Sequence, residues 1–364
     1  MIDGAQTTGR IVNLLADGTT VKGFTINNGG DDADGVGISI SGQGVTVSDN
    51  NISGVLTGIQ TTTQNAAGNA IISGNIIDVE NGISLQNTGN VVSNNVIGGG
   101  VGLSQGANTF TGNTVYGGLW LSSPTLVNDL VASDNTVNLP TGGSSQSVQN
   151  AAYLAGDNGT LNLAAGSFTL GSTLNLSNDG LTINGAGVGS TELSSISTGY
   201  GINVTGDNVS LQNFTFHGPT ATGSTYGIKV TPDTNVASDR LLNFDIENVT
   251  IDRGYRTGLD LNGVDGATIK NVSVSNIVHG NGANTGQALV AHPGIKAISF
   301  TGSTRVGAAI AAAAAPRFVK TSLEMGGKNP TLIFADWEAN DANWSTVVRS
   351  AFSNQGQICL CGSR

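Results

Sequence analysis

Short runs of β-branched residues restart at a steady interval through the first three quarters of the chain. Val45-Thr46-Val47, Ala70-Ile71-Ile72 and Val91-Val92 are each followed by Asn and an apolar residue or pair. The Asn pattern recurs at Asn51-Ile52, Asn75-Ile76-Ile77, Asn95-Val96-Ile97 and once more at Asn113-Thr114-Val115, with asparagines 24, 20 and 18 residues apart. A second marker, Gly before a branched residue, occurs at Gly37-Ile38, Gly58-Ile59, Gly82-Ile83 and Gly102-Leu103, with spacings of 21, 24 and 20. Self-similarity at this period, with several short strands per period, is the signature of a stacked repeat. Alternation of apolar and small polar residues gives each strand one inward face.

The residue types narrow the choice. A leucine-dominated template is missing, and helical repeats need better helix formers than β-branched residues and Gly. The expected fold of residues 1–275 is mainly β: a right-handed parallel β-helix solenoid turning at Gly and Asn, which tolerate positive φ. Asparagines stacked at one turn can hydrogen-bond as a ladder. Like charges stacked at about 4.8 Å would repel, which accounts for a charged fraction of only 11%.

Composition divides the chain. Residues 1–275 carry 7 Lys and Arg against 21 Asp and Glu, net −14; residues 276–364 carry 7 against 4, net +3. Of the 54 glycines, 10 fall in the last 89 residues. The expected organisation is repeats over 1–121, an irregular connection over 122–147, a second β-helix stretch over 148–275, and a different segment over 276–364. Ser147–Ala152 reads as a helical turn. With Leu161–Phe168 and Leu181–Gly187 it resembles the opening of a pectate-lyase-like β-helix domain.

The acidic balance argues against nucleic acid as a partner. No run of eighteen apolar residues is present, so no membrane span is expected, and Met1-Ile2-Asp3-Gly4 lacks the regions of a signal peptide. The cysteines, Cys359 and Cys361, cannot build a disulfide framework, and no metal site is expected from them and the three histidines. Within 1–275, Asp31-Asp32-Ala33-Asp34 reads as a solvated loop or a Ca²⁺ site. Arg253-Gly254-Tyr255-Arg256 reads as a surface loop or a sugar contact, and His217, before Gly218-Pro219, as a turn residue. No pair of carboxylates and base for polysaccharide cleavage is visible.

The last quarter is more specific. Ala297–Phe300 reads as a buried strand, Thr301-Gly302-Ser303-Thr304 as a turn, and Val306–Ala315 as a helix stopped before Pro316. Strand, glycine turn and helix present backbone N–H groups to a phosphate. Further on stand Leu323-Glu324-Met325-Gly326-Gly327-Lys328-Asn329-Pro330 and Gly356-Gln357-Ile358-Cys359-Leu360-Cys361-Gly362-Ser363-Arg364. These stretches, in this order, resemble the NAD(P)-dependent aldehyde dehydrogenase family, and the wording near Cys359 resembles its muconic-semialdehyde branch.

The resemblance implies a truncated α/β dehydrogenase segment. It implies Cys359 as nucleophile and Glu324 as the general base, partly buried in an apolar strand. It also implies Gly302, Ser303, Met325 and Gly326 at an NAD or NADP site, and a small aldehyde as substrate. Glu324 could instead pair with Lys320 or Lys328. Nothing in 1–275 resembles the family's oxyanion-hole Asn, nor does anything here match what the family carries beyond the cysteine, so turnover by these 364 residues alone is not expected. The β-helix would serve as a carbohydrate-binding or adhesion module, less readily as a lyase or epimerase. The family resembled by the tail is cytoplasmic and β-helices of this texture are exported, so the compartment stays open.

Overall fold

Between Ile2 and Leu139 the chain lays down strands of two to five residues in strict rotation through three sheets. Each strand pairs in parallel with the third strand further along. The computed structural model describes residues 1–4, 9–28, 35–63, 68–141, 145–197, 199–218, 226–232, 240–252, 257–261, 263–275, 286–326 and 332–352. They fall into two units, Met1–Ile277 and Val278–Arg364.

Register explains why the rotation holds. In the first sheet Ile26, Ile52, Ile77, Ile97, Val115 and Val137 are successive partners. All six are 0–1% exposed. The column continues through Leu161, Ile183, Leu211 and Ile246, also buried. Burying each such side chain contributes about 1.5–3 kcal/mol. A slip of one residue would turn the whole column outward, so aliphatic identity at every circuit fixes the pairing.

Corners between the third sheet and the first are built from two residues. Asp49, Gly74, Asn94, Gly112 and Asp134 have φ of 55–65°, a conformation that Gly, Asn and Asp tolerate best. The next residue is in each case a buried Asn: Asn50, Asn75, Asn95, Asn113 and Asn135. Each of the first four donates its side-chain Nδ2 to the next one's Oδ1 at 2.9–3.0 Å. Their backbone N–H groups donate to the same oxygens. The ladder spacings are 25, 20, 18 and 22 residues. The first rung is therefore Asn50, whereas the repeat reading placed it at Asn51, which is exposed.

The segment expected to be irregular, 122–147, holds a 3₁₀ helix at Pro124–Asp129 and two paired strands, Val131–Ser133 and Thr136–Leu139. The expected helical turn is an eleven-residue helix, α1 (Ser145–Ala155). Val148, Ala151, Ala152, Leu154 and Ala155 on it are buried, and it packs on strands 119–121, 136–139, 166–170 and 174–176. Asn135 Nδ2 ends the ladder by donating to Leu154 O of α1 at 2.9 Å.

Beyond α1 the first sheet continues, joined by strands 166–170, 191–195, 210–217, 245–252 and 268–275. Strands 174–176, 200–204, 226–230 and 257–261 form another parallel sheet. A second ladder, more exposed, links Asn138, Asn162, Asn184, Asn213, Asn248 and Asn271 at 2.8–3.1 Å.

Among the described residues of the second unit are elements of the α/β type expected: α2 (Gln287–Ala291), strand Ala297–Gly302, α3 (Thr304–Ala314) and strand Lys320–Met325, the two strands parallel. A further helix, α4, spans Asp341–Phe352. The guanidinium of Arg317 donates to Val290 O, Ala291 O and His292 O, tying the second strand's approach to the end of α2. Ala297–Phe300 was expected to be a buried strand followed by a turn from Thr301; the strand runs on to Gly302. Its residues are half-buried or exposed instead, because the described residues of this unit cover a pair of strands with helix on one face where parallel sheets are covered on both.

Candidate functional site

The strand–turn–helix at 297–314 brings the predicted phosphate-binding residues together. Gly302 ends its strand opposite Met325. Ser303 caps α3: its hydroxyl accepts from Val306 N at 3.3 Å. Thr304 Oγ1 donates to Gly326 O at 3.4 Å, so the helix N-terminus meets the end of the second strand. A Cβ on Gly307 would lie 2.3 Å from Met325 Sδ. A side chain at this position would have to push the flexible end of Met325 aside.

The helix start is electrostatically open to an anion. No acidic residue occupies its first turn, and Arg305 stands there. Unpaired N–H groups and the helix dipole favour a phosphate at such a terminus. Ser303→Ala removes the cap, worth about 1 kcal/mol. The expected result is hydrogen exchange about five-fold faster at the amides of Thr304–Gly307, with no change in the ladder amides of the first unit.

Glu324 does not sit as expected. It lies opposite Thr301 and alternates with Leu323 and Met325. Because Met325 lies against Gly307 of α3, alternation puts Glu324 on the sheet face away from that helix. There it is exposed, because no described residue of the unit covers that face. Lys320 makes no ion pair with it, and Lys328 lies outside the described residues. So do Cys359, Cys361, the Asp31–Asp34 cluster and the Arg253–Arg256 cluster. Among the described residues no group of three or more His, Cys, Asp and Glu could hold a metal ion. No helix among them is long and apolar enough to cross a membrane.

Residues 271–364 match the aldehyde dehydrogenase family. Over 91 residues this segment is 56% identical to 2-aminomuconic semialdehyde dehydrogenase of Danio rerio, covering 25% of this chain and 18% of that protein. Over 89 residues it is 44% identical to a mitochondrial succinate-semialdehyde dehydrogenase of Arabidopsis thaliana, covering 24% and 17%. A phenylacetaldehyde dehydrogenase of Pseudomonas fluorescens is 42% identical over 89 residues, 24% and 18% of the two chains. The chain thus spans less than a fifth of the length of these relatives. Residues 3–141 match a family described as a protein of unknown function (DUF1565). No solved structure matches. The chain joins a segment similar to aldehyde dehydrogenases to a repeat segment of which residues 3–141 match this second family.

Sequence reasoning missed one constellation in the first unit. His217 was read as a turn residue. It closes strand 210–217, with Nδ1 3.1 Å from Asp252 Oδ2 and Nε2 3.9 Å from Glu192 Oε1. The three residues are 25 and 35 positions apart in sequence. The signal lay in aligning the circuits, which brings Ser194, His217 and Asp252 into one row.

Proposed function

We propose that residues 278–364 are an aldehyde dehydrogenase segment acting on semialdehydes, and that residues 1–275 form a right-handed parallel β-helix. The strand rotation through three parallel sheets supports the second reading, and crossovers between parallel strands are right-handed in nearly all proteins. The observation carrying the first is the juxtaposition of Gly302, Ser303, Met325 and Gly326 at the start of α3, in a segment 56% identical to a semialdehyde dehydrogenase.

These four residues suit the pyrophosphate of NAD or NADP. Gly307 leaves room for the side chain of Met325, Ser303 orders the first turn, and no carboxylate opposes the phosphates. The cofactor would supply a hydride acceptor. Cys359 would attack the aldehyde carbonyl through its thiolate, forming a C–S bond. Glu324 would take a proton from the water that later releases the acid, a role for which its face must be covered.

The exposure of Glu324 supports a further expectation: these 364 residues alone turn over slowly. With succinate semialdehyde and NAD or NADP, formation of the reduced cofactor should run at least about 10²-fold below a full-length relative assayed alongside, the scale of losing one oxyanion donor. Turnover comparable to the relative and abolished by Cys359→Ala would overturn the expectation of slow turnover. Unchanged residual turnover in Cys359→Ala would overturn the assignment of the nucleophile.

A further inference from the structure

The third sheet gives the first unit its most regular outer face. Its strands are 20–22, 46–48, 71–73, 91–93, 109–111 and 131–133, paired in parallel and in register. The middle residue of each points inward, and Val47, Ile72, Val92 and Phe110 are fully buried. The two flanking residues therefore point outward. The first of them is β-branched in every circuit: Thr20, Thr46, Ile71, Val91, Thr109 and Val131. The second is Ser or Thr in every circuit after the first, from Ser48 to Ser133. In the first circuit it is Lys22, whose ammonium is paired with Asp49 at 3.2 Å. Each circuit thus offers methyl groups and then a hydroxyl. No aromatic ring stands in the two rows, and no charge past Lys22.

Repetition of the fold does not by itself produce such a face. In the same circuits the outer side of the first sheet carries Asn51, Ile76 and Asp78, and that of the second carries Gln60, Gly102 and Trp120. Only the third sheet keeps one chemistry throughout. Both of its margins are held by buried asparagines. The ladder from Asn50 to Asn135 runs along one. At the other, Asn90 Oδ1 accepts from Ala70 N at 3.2 Å, and Asn90 Nδ2 donates to Asn108 Oδ1 at 2.8 Å. Side-chain ladders of this kind hold a sheet flat against its tendency to twist.

The array selects the class of ligand. Neighbouring strands lie about 4.8 Å apart, and alternate residues along a strand about 6.6 Å apart, so the outward groups repeat in two directions. A folded protein or a single small molecule gains nothing from one pair of side chains presented circuit after circuit. A periodic solid does. A mineral surface calls for charges, and a crystalline glycan for flat aromatic rings; these rows have neither. The surface of ice is neutral, and its oxygens repeat at intervals of this order in two directions. Each of its waters donates and accepts hydrogen bonds, as Ser and Thr hydroxyls do. The methyl groups between them restrict the orientation of the water that they touch. We propose that the outer face of the third sheet binds the surface of ice crystals. The proposal rests on the register of this sheet and stands independently of the dehydrogenase segment.

The test is nanolitre osmometry of the full chain, which reads the gap between melting and freezing of a single ice crystal, together with the growth of ice grains held in frozen sucrose solution. A wider gap and smaller grains than with albumin at equal molarity are expected. Val91→Lys places a strongly hydrated ammonium in the middle of the face, and the gap should shrink by about ten-fold. Val96→Lys is the control: Val96 belongs to the same circuit and is 42% exposed against 40% for Val91, but it lies on the first sheet. It should keep the parent's gap, and both variants should unfold thermally as the parent does. If Val91→Lys alters unfolding, Val131→Lys, at a site of the same face that is 61% exposed, decides in its place. The proposal is overturned if the parent acts as albumin does in both assays, or if the substitution on the third sheet leaves the gap unchanged. It is also overturned if Val96→Lys lowers the gap as much, or if the chain sediments with microcrystalline cellulose and has no effect on ice.

Discussion

Asn95→Ala is expected to destabilise the first unit by about 3 kcal/mol or more, a large part of the 5–15 kcal/mol that holds a typical domain folded. Asn95 is 1% exposed. Its Oδ1 accepts from both the backbone N and the Nδ2 of Asn75 at 2.9 Å. Its Nδ2 donates to Ile72 O at 2.9 Å, Ser93 O at 3.0 Å and Asn113 Oδ1 at 2.9 Å. Truncation strands the N–H of the fully buried Asn75, and each buried group left unsatisfied costs about 1–3 kcal/mol. It also opens the room of an amide. Urea unfolding of the full chain, followed by circular dichroism, reads the loss as a lower midpoint. Asn51→Ala is the control: Asn51 is exposed, and surface changes of this kind stay within about 0.5 kcal/mol. Equal effects of the two substitutions would show that the ladder does not stabilise the fold.

Gly58→Val is expected to be as damaging for the opposite reason. Gly58 lies in the strand Thr57–Thr61 of the second sheet, where a Cβ would stand 2.3 Å from Ile77 Cγ2 of the first sheet and 2.7 Å from Gly82 O. The Ile77 methyl can turn aside, but Gly82 O is backbone of the paired strand. Room could come only by parting the strands. Overpacking costs about 1–3 kcal/mol, and Val adds two further methyl groups to a space that excludes the first. Reduced soluble yield or a lowered urea midpoint checks this. Gly102→Ala should be close to neutral, since its nearest contacts would be at 4.0 Å. A Gly58 variant as stable as the parent would mean that the circuits separate more easily than their packing implies.

Gly102 also shows where the sequence stops being readable. Counting Gly before a branched residue places Gly102 after Gly37, Gly58 and Gly82. The strands place Gly102 against Ser84, with a register shift between Asn81 and Ile83. A marker of one glycine and one aliphatic residue cannot distinguish a stacking position from its neighbour. The Asn51 displacement has the same cause. Asn50 and Asn51 are both asparagine, and only the left-handed Asp49 before them tells which one turns inward. Periodicity, residue type and the apolar column were legible because every circuit repeats them. The extent of α1 was not, because it occurs once. A helix after the Gly302-Ser303 turn was legible, but its start was expected at Val306 and lies at Thr304, with Ser303 as its cap. The exposure of Glu324 was not, because burial depends on what covers a strand. His217, Glu192 and Asp252 are joined by register alone, which no local pattern encodes.

The ladder spacings of 18 to 25 residues have a consequence for how such a chain can change length. Every rung closes a loop of nearly the same size, so each added circuit costs about the same closure entropy, which grows only slowly with loop length. Insertion of one whole circuit, with its left-handed corner and its asparagine, leaves every older rung with a partner. Insertion of half a circuit strands two of them. Mutational drift in this unit is therefore quantised: length should vary among its descendants in steps of about one rung, and the extra residues of any partial step should be confined to loops between strands.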